Sequence, residues 1–417
     1  MRGEIDPGVG RVKEALRRLG QPEVDLRGRC LHVAGTNGKG SVCAMLFAVC
    51  RHAGFRVGMF TSPHLLEPLD AIQMAEEGEE TPVQPETWKL LEEEVKKLCG
   101  HATPEISLTI FELQVVTSLL LFARHQVDVA IIEVGMGGLE DATNVLLEPA
   151  ACCITSIALD HEKFLGPTHE DIAKHKAGIF QRGRPAYVAK DGMSESVQRV
   201  IAEVAERVGA LLFWVAPAEV VGEPPHGRGR GHQTLQVPGF DPVQVPLLGN
   251  YQRSNAALAL AMLVELRATK LPLRSCAKIL DDHQLDNSII LEGMAKTRWP
   301  GRLDWIHLDG RPVLLDGAHN PHAAAELARY VDQTVRPKAV LWVVALSFGK
   351  DAKGILQELL REEDSLLAVT FPAVEAMPWV KPQAPEELVE VARSLPAGGG
   401  AQTAATWREA LQVFELK

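Results

Sequence analysis

The stretch that most constrains this chain runs from Leu31 to Ser41, L-H-V-A-G-T-N-G-K-G-S, with an apolar segment from Val42 to Val49 behind it. The apolar run at its start reads as a buried strand. Gly35, Gly38 and Gly40 let backbone N–H groups turn toward an anion, Lys39 adds a positive charge, and a helix starting near Ser41 points its N-terminal dipole at the same place. Together with Thr36, Asn37 and the Ser41 hydroxyl they form a phosphate cradle, which demands the strand–turn–helix context of an α/β sheet. The spacing departs from the commonest P-loop, because three residues separate Gly35 from Lys39 and Gly40 precedes Ser41. An ordinary glycine-rich turn is the alternative.

A chain of 417 residues has room for two or three domains with sizeable cores. Its formal net charge of −11 argues against a general nucleic-acid binder, because that field repels a polyphosphate backbone. Anionic small molecules remain open as partners through local basic sites. Seven cysteines is an odd number, and Cys43, Cys50, Cys152, Cys153 and Cys276 sit in apolar runs without CxxC spacing. They read as buried free thiols of a reducing compartment. The start, M-R-G-E-I-D-P, has no apolar core, and the apolar stretch from Leu113 to Val134 is broken by Arg124, His125 and Asp128. Neither a signal peptide nor a membrane span is expected.

Val12, Ala15, Leu16 and Leu19 recur at helical spacing, and Gly20-Gln21-Pro22 stops that helix before the cradle strand. Arg56 to Phe60 reads as a strand ending in T-S-P-H, which makes Ser62 a candidate metal or phosphate contact at a strand's carboxyl end, with a plain Ser-Pro turn as the equal alternative. Glu76 to Pro85 reads as a surface loop, and Glu86 to Leu98 and Ser107 to Phe122 as helices. Val127 to Val134 is a strand buried on both faces, and Glu133 interrupts it next to G-M-G-G. A carboxylate there needs a charge partner, which Mg²⁺ bridging phosphates at the cradle would supply, and an unremarkable end-of-strand glutamate is the alternative.

Ala150 to Ala158 is a further strand, leading into L-D-H with His161 at its end. Thr168 and Asp171 resemble a capping box that starts a short helix carrying Lys174 and Lys176. Pro185 to Ala189 is a strand and Ser194 to Val208 a helix. Ala216 to Pro246, with G-R-G-R-G inside it, reads as exposed loop and irregular β structure. Gln252 and Asn255, three apart at the start of an apolar helix, share a face and are placed to read a purine edge. A change of domain falls around Lys296 to Gly301, dividing residues 1–296 from a smaller α/β unit, 297–417, whose first strand, Pro312 to Leu315, ends in D-G-A-H-N-P. A helix from His322 to Val331, a strand from Ala339 to Ala345 and further α/β alternation follow.

Taken together, G-T-N-G-K-G-S, T-S-P-H, E-V-G-M-G-G with D-A-T-N, L-D-H with I-A-K-H-K-A-G-I, W-P-G-R and D-G-A-H-N-P resemble the folylpolyglutamate synthase and dihydrofolate synthase family, relatives of the Mur ligases. The resemblance covers nearly the whole chain. V-E-A-M-P-W at Val374 to Trp379 and the run from Ala151 to His161 look most like fungal, monofunctional dihydrofolate synthases. It implies a Mur-ligase-like ATP-binding domain with a mostly parallel sheet and a smaller Rossmann-like C-terminal domain. It also implies ATP-dependent ligation of L-glutamate to dihydropteroate through an acyl phosphate, with ligation to a folate, or both activities, as the alternative. A Mur-type peptidoglycan ligase and a non-catalytic ATP-binding relative stand further off.

By the resemblance, Gly35, Thr36, Asn37, Gly38, Lys39, Gly40 and Ser41 hold the phosphates of ATP, while Ser62, Glu133 and His161 bind Mg²⁺, with K⁺ as a further candidate. Lys176 matches a lysine that is open to carbamylation. Gln252 and Asn255 would face adenine, and Arg302, Asp316 and His319 would close over phosphate and glutamate. Lys39, His161, Lys176, Asp316 and His319 are the catalytic set. A cytoplasmic monomer, with a mitochondrial pool as an alternative location, is expected. Three features depart from the family pattern. Leu139-Glu140-Asp141 stands where many relatives place an arginine, F-G-K-D replaces a small-residue loop, and no G-S-L-Y-L segment occurs through Lys417.

Overall fold

The computed structural model describes residues 6–100, 105–222, 231–269 and 285–413. Their packing divides them into two compact units, one of residues 6–222 with 231–299 and one of residues 300–413.

The first unit is built on an eight-stranded sheet. Its strands are β1 (Cys30–Ala34), β2 (Val57–Phe60), β3 (Ile72–Glu76), β4 (Glu79–Glu80), β5 (Val129–Glu133), β6 (Ala151–Ile154), β7 (Pro185–Ala189) and β8 (Leu211–Val215), in the order β4-β3-β2-β5-β1-β6-β7-β8. From β2 to β8 every neighbour is parallel, whereas β3 and β4 add an antiparallel edge. After β1 the chain crosses to β2 on one side, returns through β5, and then continues through β6 to β8 on the other. That reversal beside β1 is the position at which an open α/β sheet leaves a crevice beyond its strand ends.

Alternation along β1 shows how the sheet is covered. Leu31 and Val33 face a core that includes Leu46 of the helix Lys39–His52, Leu258 of Gln252–Thr269 and Ile290 of Asn287–Ala295. Cys30 packs with the helix Ile110–Arg124, and Ala34 with His169–Ala177 and Glu195–Val208. Each fully buried Leu, Ile or Val of these cores contributes roughly 1.5–3 kcal/mol. Gly293 permits its helix to approach the cradle helix, since a Cβ there would press against the Val49 backbone.

Several boundaries differ from the sequence expectations for identifiable reasons. The acidic stretch after Ile72 forms the β3–β4 hairpin, with Ala75 opposite Glu80, instead of a plain loop. The helix expected from Ser107 begins at Ile110, because Thr109 and Glu112 make a reciprocal capping box. The strand expected to reach Ala158 ends at Ile154, and the residues after it bond to the cradle. Ala216 to Pro246 is more ordered than expected where it is described: β9 (Glu219–Val220), β10 (Gln233–Gln236) and β11 (Val243–Val245) form an antiparallel sheet that buries Leu235, Val243 and Val245 completely. The G-R-G-R-G run, apart from Gly231, and Cys276 lie outside the described residues. All six cysteines within them are buried free thiols.

The second unit contains the antiparallel pair β12 (Asp304–Leu308) and β13 (Arg311–Leu315), and the parallel sheet β14 (Leu341–Val344), β15 (Ser365–Ala368) and β16 (Ala401–Thr403). Helices Pro321–Thr334, Ala352–Leu359 and Pro385–Arg393 connect and cover these strands. Among the described residues no helix is long and apolar enough to cross a membrane.

Candidate active site

The cradle follows β1 directly. Gly38 takes a left-handed φ of 95° as the cap of the helix Lys39–His52, so this helix begins two residues before the expected Ser41. A side chain at Gly38 would also collide with Asn255, and one at Gly35 would collide with Thr155. Glycine is therefore required twice for separate reasons, backbone conformation and close approach. Gly40 faces Trp299, whose indole lies 2.8 Å from where a Cβ would stand.

The residues that follow β6 fasten the loop. Thr36 N–H donates to the Ser156 carbonyl at 2.8 Å, the Thr36 hydroxyl donates to the Ala158 carbonyl at 3.1 Å, and Ala158 N–H donates back to that hydroxyl at 3.0 Å. Asn37 N–H reaches the Ser156 hydroxyl at 3.0 Å, and Thr155 donates to the Asn37 carbonyl at 2.6 Å. The cradle is thus held by a segment that reads as strand from its composition.

Gln252 and Asn255 stand at the start of the helix Gln252–Thr269, with Asn255 beside Gly38 of the cradle. Gln252 is fully buried, donates to the Ser41 hydroxyl at 3.2 Å and accepts from the Asn255 amide at 2.8 Å. These amides brace the cradle through the Ser41 hydroxyl.

Two lysines converge on the start of the loop. Lys39 Nζ donates to the Gly35 and Thr36 carbonyls at 3.2 and 3.3 Å, and Lys176 Nζ donates to the Gly35 carbonyl at 2.8 Å. Burial lowers the Lys176 pKa to about 7, and the Lys39 charge pushes in the same direction against Asp160 and Asp141. Glu133, the last residue of β5, lies with Oε1 3.9 Å from Lys39 Nζ. Register places Phe60 beside Ile132 and Val33 beside Glu133, so Ser62, Glu133 and the cradle all leave the same end of adjacent strands.

His161 caps the short helix Glu162–Leu165 in a left-handed conformation, with Nε2 4.0 Å from Asp160. Among the described residues no three His, Cys, Asp or Glu side chains form a ready-made metal cage. The buried Glu133 carboxylate and the Ser62 hydroxyl are nonetheless hard oxygen donors, the chemistry that suits Mg²⁺ when substrate phosphates and water complete its shell.

The G-M-G-G loop after Glu133 has its own support, which the motif alone did not reveal. Buried Asp141 accepts from Met136 N–H at 2.8 Å and from Thr143 N–H at 3.0 Å. Burial raises its pKa despite those bonds. Phe111 packs so tightly on Gly135 that any Cβ there would strike its ring.

Within the second unit, Asp316 accepts from Leu303 N–H and Ala318 N–H, each at 2.9 Å, which fixes the D-G-A-H turn. Burial raises the Asp316 pKa against the neighbouring Arg302 and His319 charges. Arg302 donates to the Gly301 carbonyl at 2.9 Å and lies where a side chain at residue 317 would stand. His319 Nδ1 is 2.9 Å from the Gly317 carbonyl, so the three expected residues are neighbours.

A phosphate cradle at the reversal of a parallel sheet, with a strand-end carboxylate facing its lysine, defines a nucleotide-binding unit of the Mur-ligase type, and residues 33–263 match the Mur ligase middle domain. Residues 304–415 match the dihydrofolate synthetase C-terminal domain. The chain is 37% identical over 388 residues to a probable dihydrofolate synthetase of Schizosaccharomyces pombe, covering 92% of this chain and 86% of the relative. It is 35% identical to the dihydrofolate synthetase of Saccharomyces cerevisiae, with the same coverage of both chains. Mycobacterium tuberculosis folylpolyglutamate synthase, solved with ADP and AMPPCP, superposes with a TM-score of 0.81 at 29% identity, over 98% of this chain and 88% of that one. Escherichia coli FolC, solved with DHPP and ADP, gives 0.76 at 30% identity, over 99% and 88%. The chain belongs to the dihydrofolate synthase and folylpolyglutamate synthase family.

Proposed function

We propose that this chain uses ATP to join L-glutamate to dihydropteroate, giving dihydrofolate, ADP and phosphate. The observation that carries the reading is the cradle itself, with Lys39 Nζ 3.9 Å from Glu133 at the ends of β1 and β5. A carboxylate is a poor electrophile. Transfer of the γ-phosphoryl group makes it an acyl phosphate, the glutamate amine then attacks the carbonyl carbon, and phosphate leaves with the C–O bond. Such transfer depends on positioning and on charge stabilisation more than on covalent catalysis.

In this scheme the backbone N–H groups of residues 35–41 hold the phosphates, and Lys39 turns from the Gly35 and Thr36 carbonyls to the transferring group. Glu133, with Ser62 and His161, would hold Mg²⁺, which supplies neutralisation of the phosphate charge. Lys176, neutral in part near pH 7, is suited to carbamylation, which would replace a cation by a carboxylate beside the cradle. Arg302, Asp316 and His319 are assigned to phosphate and glutamate binding. The buried free thiols support a cytoplasmic placement, and action as a monomer belongs to the same proposal.

The match of residues 304–415 favours dihydropteroate as acceptor. A bifunctional reading has support too, since a Bacillus subtilis relative, 36% identical over 79% of this chain, is named for both synthase activities. The direct check is ATP consumption by the purified chain. It should require dihydropteroate and L-glutamate together, and consumption that ignores both would sink the ligase reading.

A further inference from the structure

His32 stands in the middle of β1, fully buried, three residues before the cradle. Its burial holds it neutral, with a pKa of about 3. A histidine at such a point is hard to account for by packing, since Cys30 and Ala34 on the same face of the strand are small and apolar. Its hydrogen bonds indicate another reason. Nε2 lies 2.9 Å from the Thr143 hydroxyl, and that hydroxyl donates to Asp141 Oδ1 at 2.5 Å. The Thr143 proton is therefore committed to Asp141, which makes His32 Nε2–H the donor to Thr143 and leaves Nδ1 an acceptor without a partner among the described residues. Half of the ring's capacity is unmet, and the half that is used points at Thr143.

Asp141 continues the line through Oδ2, which accepts Met136 N–H at 2.8 Å. The same loop is tied to the helix that carries Lys176: Leu139 N–H donates to the His175 carbonyl at 2.8 Å, and the Asn144 amide donates to the Leu139 and Gly178 carbonyls at 3.0 and 3.1 Å. Lys176 then returns to the Gly35 carbonyl at 2.8 Å. A closed circuit thus runs from His32 through Thr143, Asp141, the glycine loop and Lys176 back to the end of the strand on which it began.

We propose that His32 is a positioning residue for the ligation, fixing through Thr143 and Asp141 the loop that starts beside Glu133 and the place of Lys176. The cradle is braced separately by Thr155, Ser156 and Gln252, so breaking this circuit should impair turnover and spare nucleotide binding. The proposal rests on the ligase reading above, and one readout is chosen to be independent of it.

The test compares His32→Leu, which removes the donor, with His32→Gln, which keeps an N–H at the reach of Nε2. Misplacement by about 1 Å costs on the order of 10²-fold, so kcat of His32→Leu should fall by about that factor while KM for ATP stays within about twofold. His32→Gln should recover most of it. Thr143→Val should match His32→Leu, and the double variant should be no worse than either single one. Amide exchange at Met136 and Thr143, followed without any turnover, should quicken in His32→Leu and not in His32→Gln. Unchanged exchange in His32→Leu overturns the proposal whether or not the wild-type chain ligates glutamate. So does a His32→Gln variant as slow as His32→Leu, or a double variant whose losses multiply. A wild-type chain with no ligase activity and the expected exchange pattern overturns the functional reading and leaves the circuit standing.

Discussion

At the scale of single residues, Lys39 and Lys176 meet at the Gly35 carbonyl, and Glu133 lies 3.9 Å from Lys39. Lys39→Ala removes a positive charge from the transferring phosphate and should lower kcat by roughly 10²–10³-fold with little change in thermal midpoint. Steady-state kinetics beside a melting curve check this, and wild-type turnover would contradict the cradle assignment. Lys176 makes a prediction through pH. Its folded pKa of about 7 lies below the ordinary 10.5, so between those values the unfolded chain binds this proton more readily than the native chain, and stability rises with pH across the window. Below about 7 both states are charged and the penalty is complete. Lys176→Met should therefore show a flatter dependence of urea midpoint on pH from 7 to 9 than the wild type, and parallel curves would contradict the shifted pKa. The glycines, Lys39 and Glu133 were legible in the sequence because they interrupt apolar strands or break helix patterns. His32 and Thr155 were not, since a polar residue carries no sign of the partner it will meet more than a hundred positions away, as His32 meets Thr143 and Thr155 meets Asn37.

At the scale of elements, local signals located most helices and strands and misplaced ends where another segment competed for the backbone. Thr155 to Ala158 looks like strand by composition, but after the Thr155 N–H, which still bonds the Ala34 carbonyl, its hydrogen bonds go to Thr36 and Asn37. Of the β12–β13 hairpin, pattern alone shows only Pro312 to Leu315 as a strand, because Asp304 to Leu308 mixes charged and apolar residues. In the second unit Asp364 is the keystone of its sheet. It accepts from Arg336 at 2.8 and 3.2 Å, Trp342 Nε1 at 3.0 Å, Val340 N–H at 2.9 Å and Arg361 N–H at 3.1 Å. Burial pushes its pKa up, but the Arg336 and Trp342 bonds outweigh it, and the carboxyl sits below its ordinary value. Its stabilisation is thus present above the ordinary carboxylate range and is lost as pH falls through the lowered value. Asp364→Ala leaves Arg336 with Asp332 alone and takes the acceptor from Trp342 Nε1, Val340 N–H and Arg361 N–H, and should cost at least about 1–3 kcal/mol. Denaturant unfolding checks it, and a loss under about 1 kcal/mol would show that the network is dispensable.

For the whole molecule, the order of motifs along the chain carried more than any one of them: a cradle, a strand-end carboxylate, a lysine helix and a second α/β unit are the parts of a ligase that activates a carboxylate with ATP. What the motifs leave open is the acceptor, because dihydropteroate and a folate present the same anion to the same phosphate. In dihydropteroate the reacting carboxylate sits directly on the aminobenzoyl ring, whereas in a folate it lies at the end of a flexible glutamate. A site shaped for one misplaces the other, and about 1 Å of misplacement costs on the order of 10²-fold. Incorporation of labelled L-glutamate, run side by side with dihydropteroate and tetrahydrofolate at equal concentration, measures this directly. The account predicts rapid incorporation into the dihydropteroate product and little or none into tetrahydrofolate, whereas faster incorporation with tetrahydrofolate would contradict it.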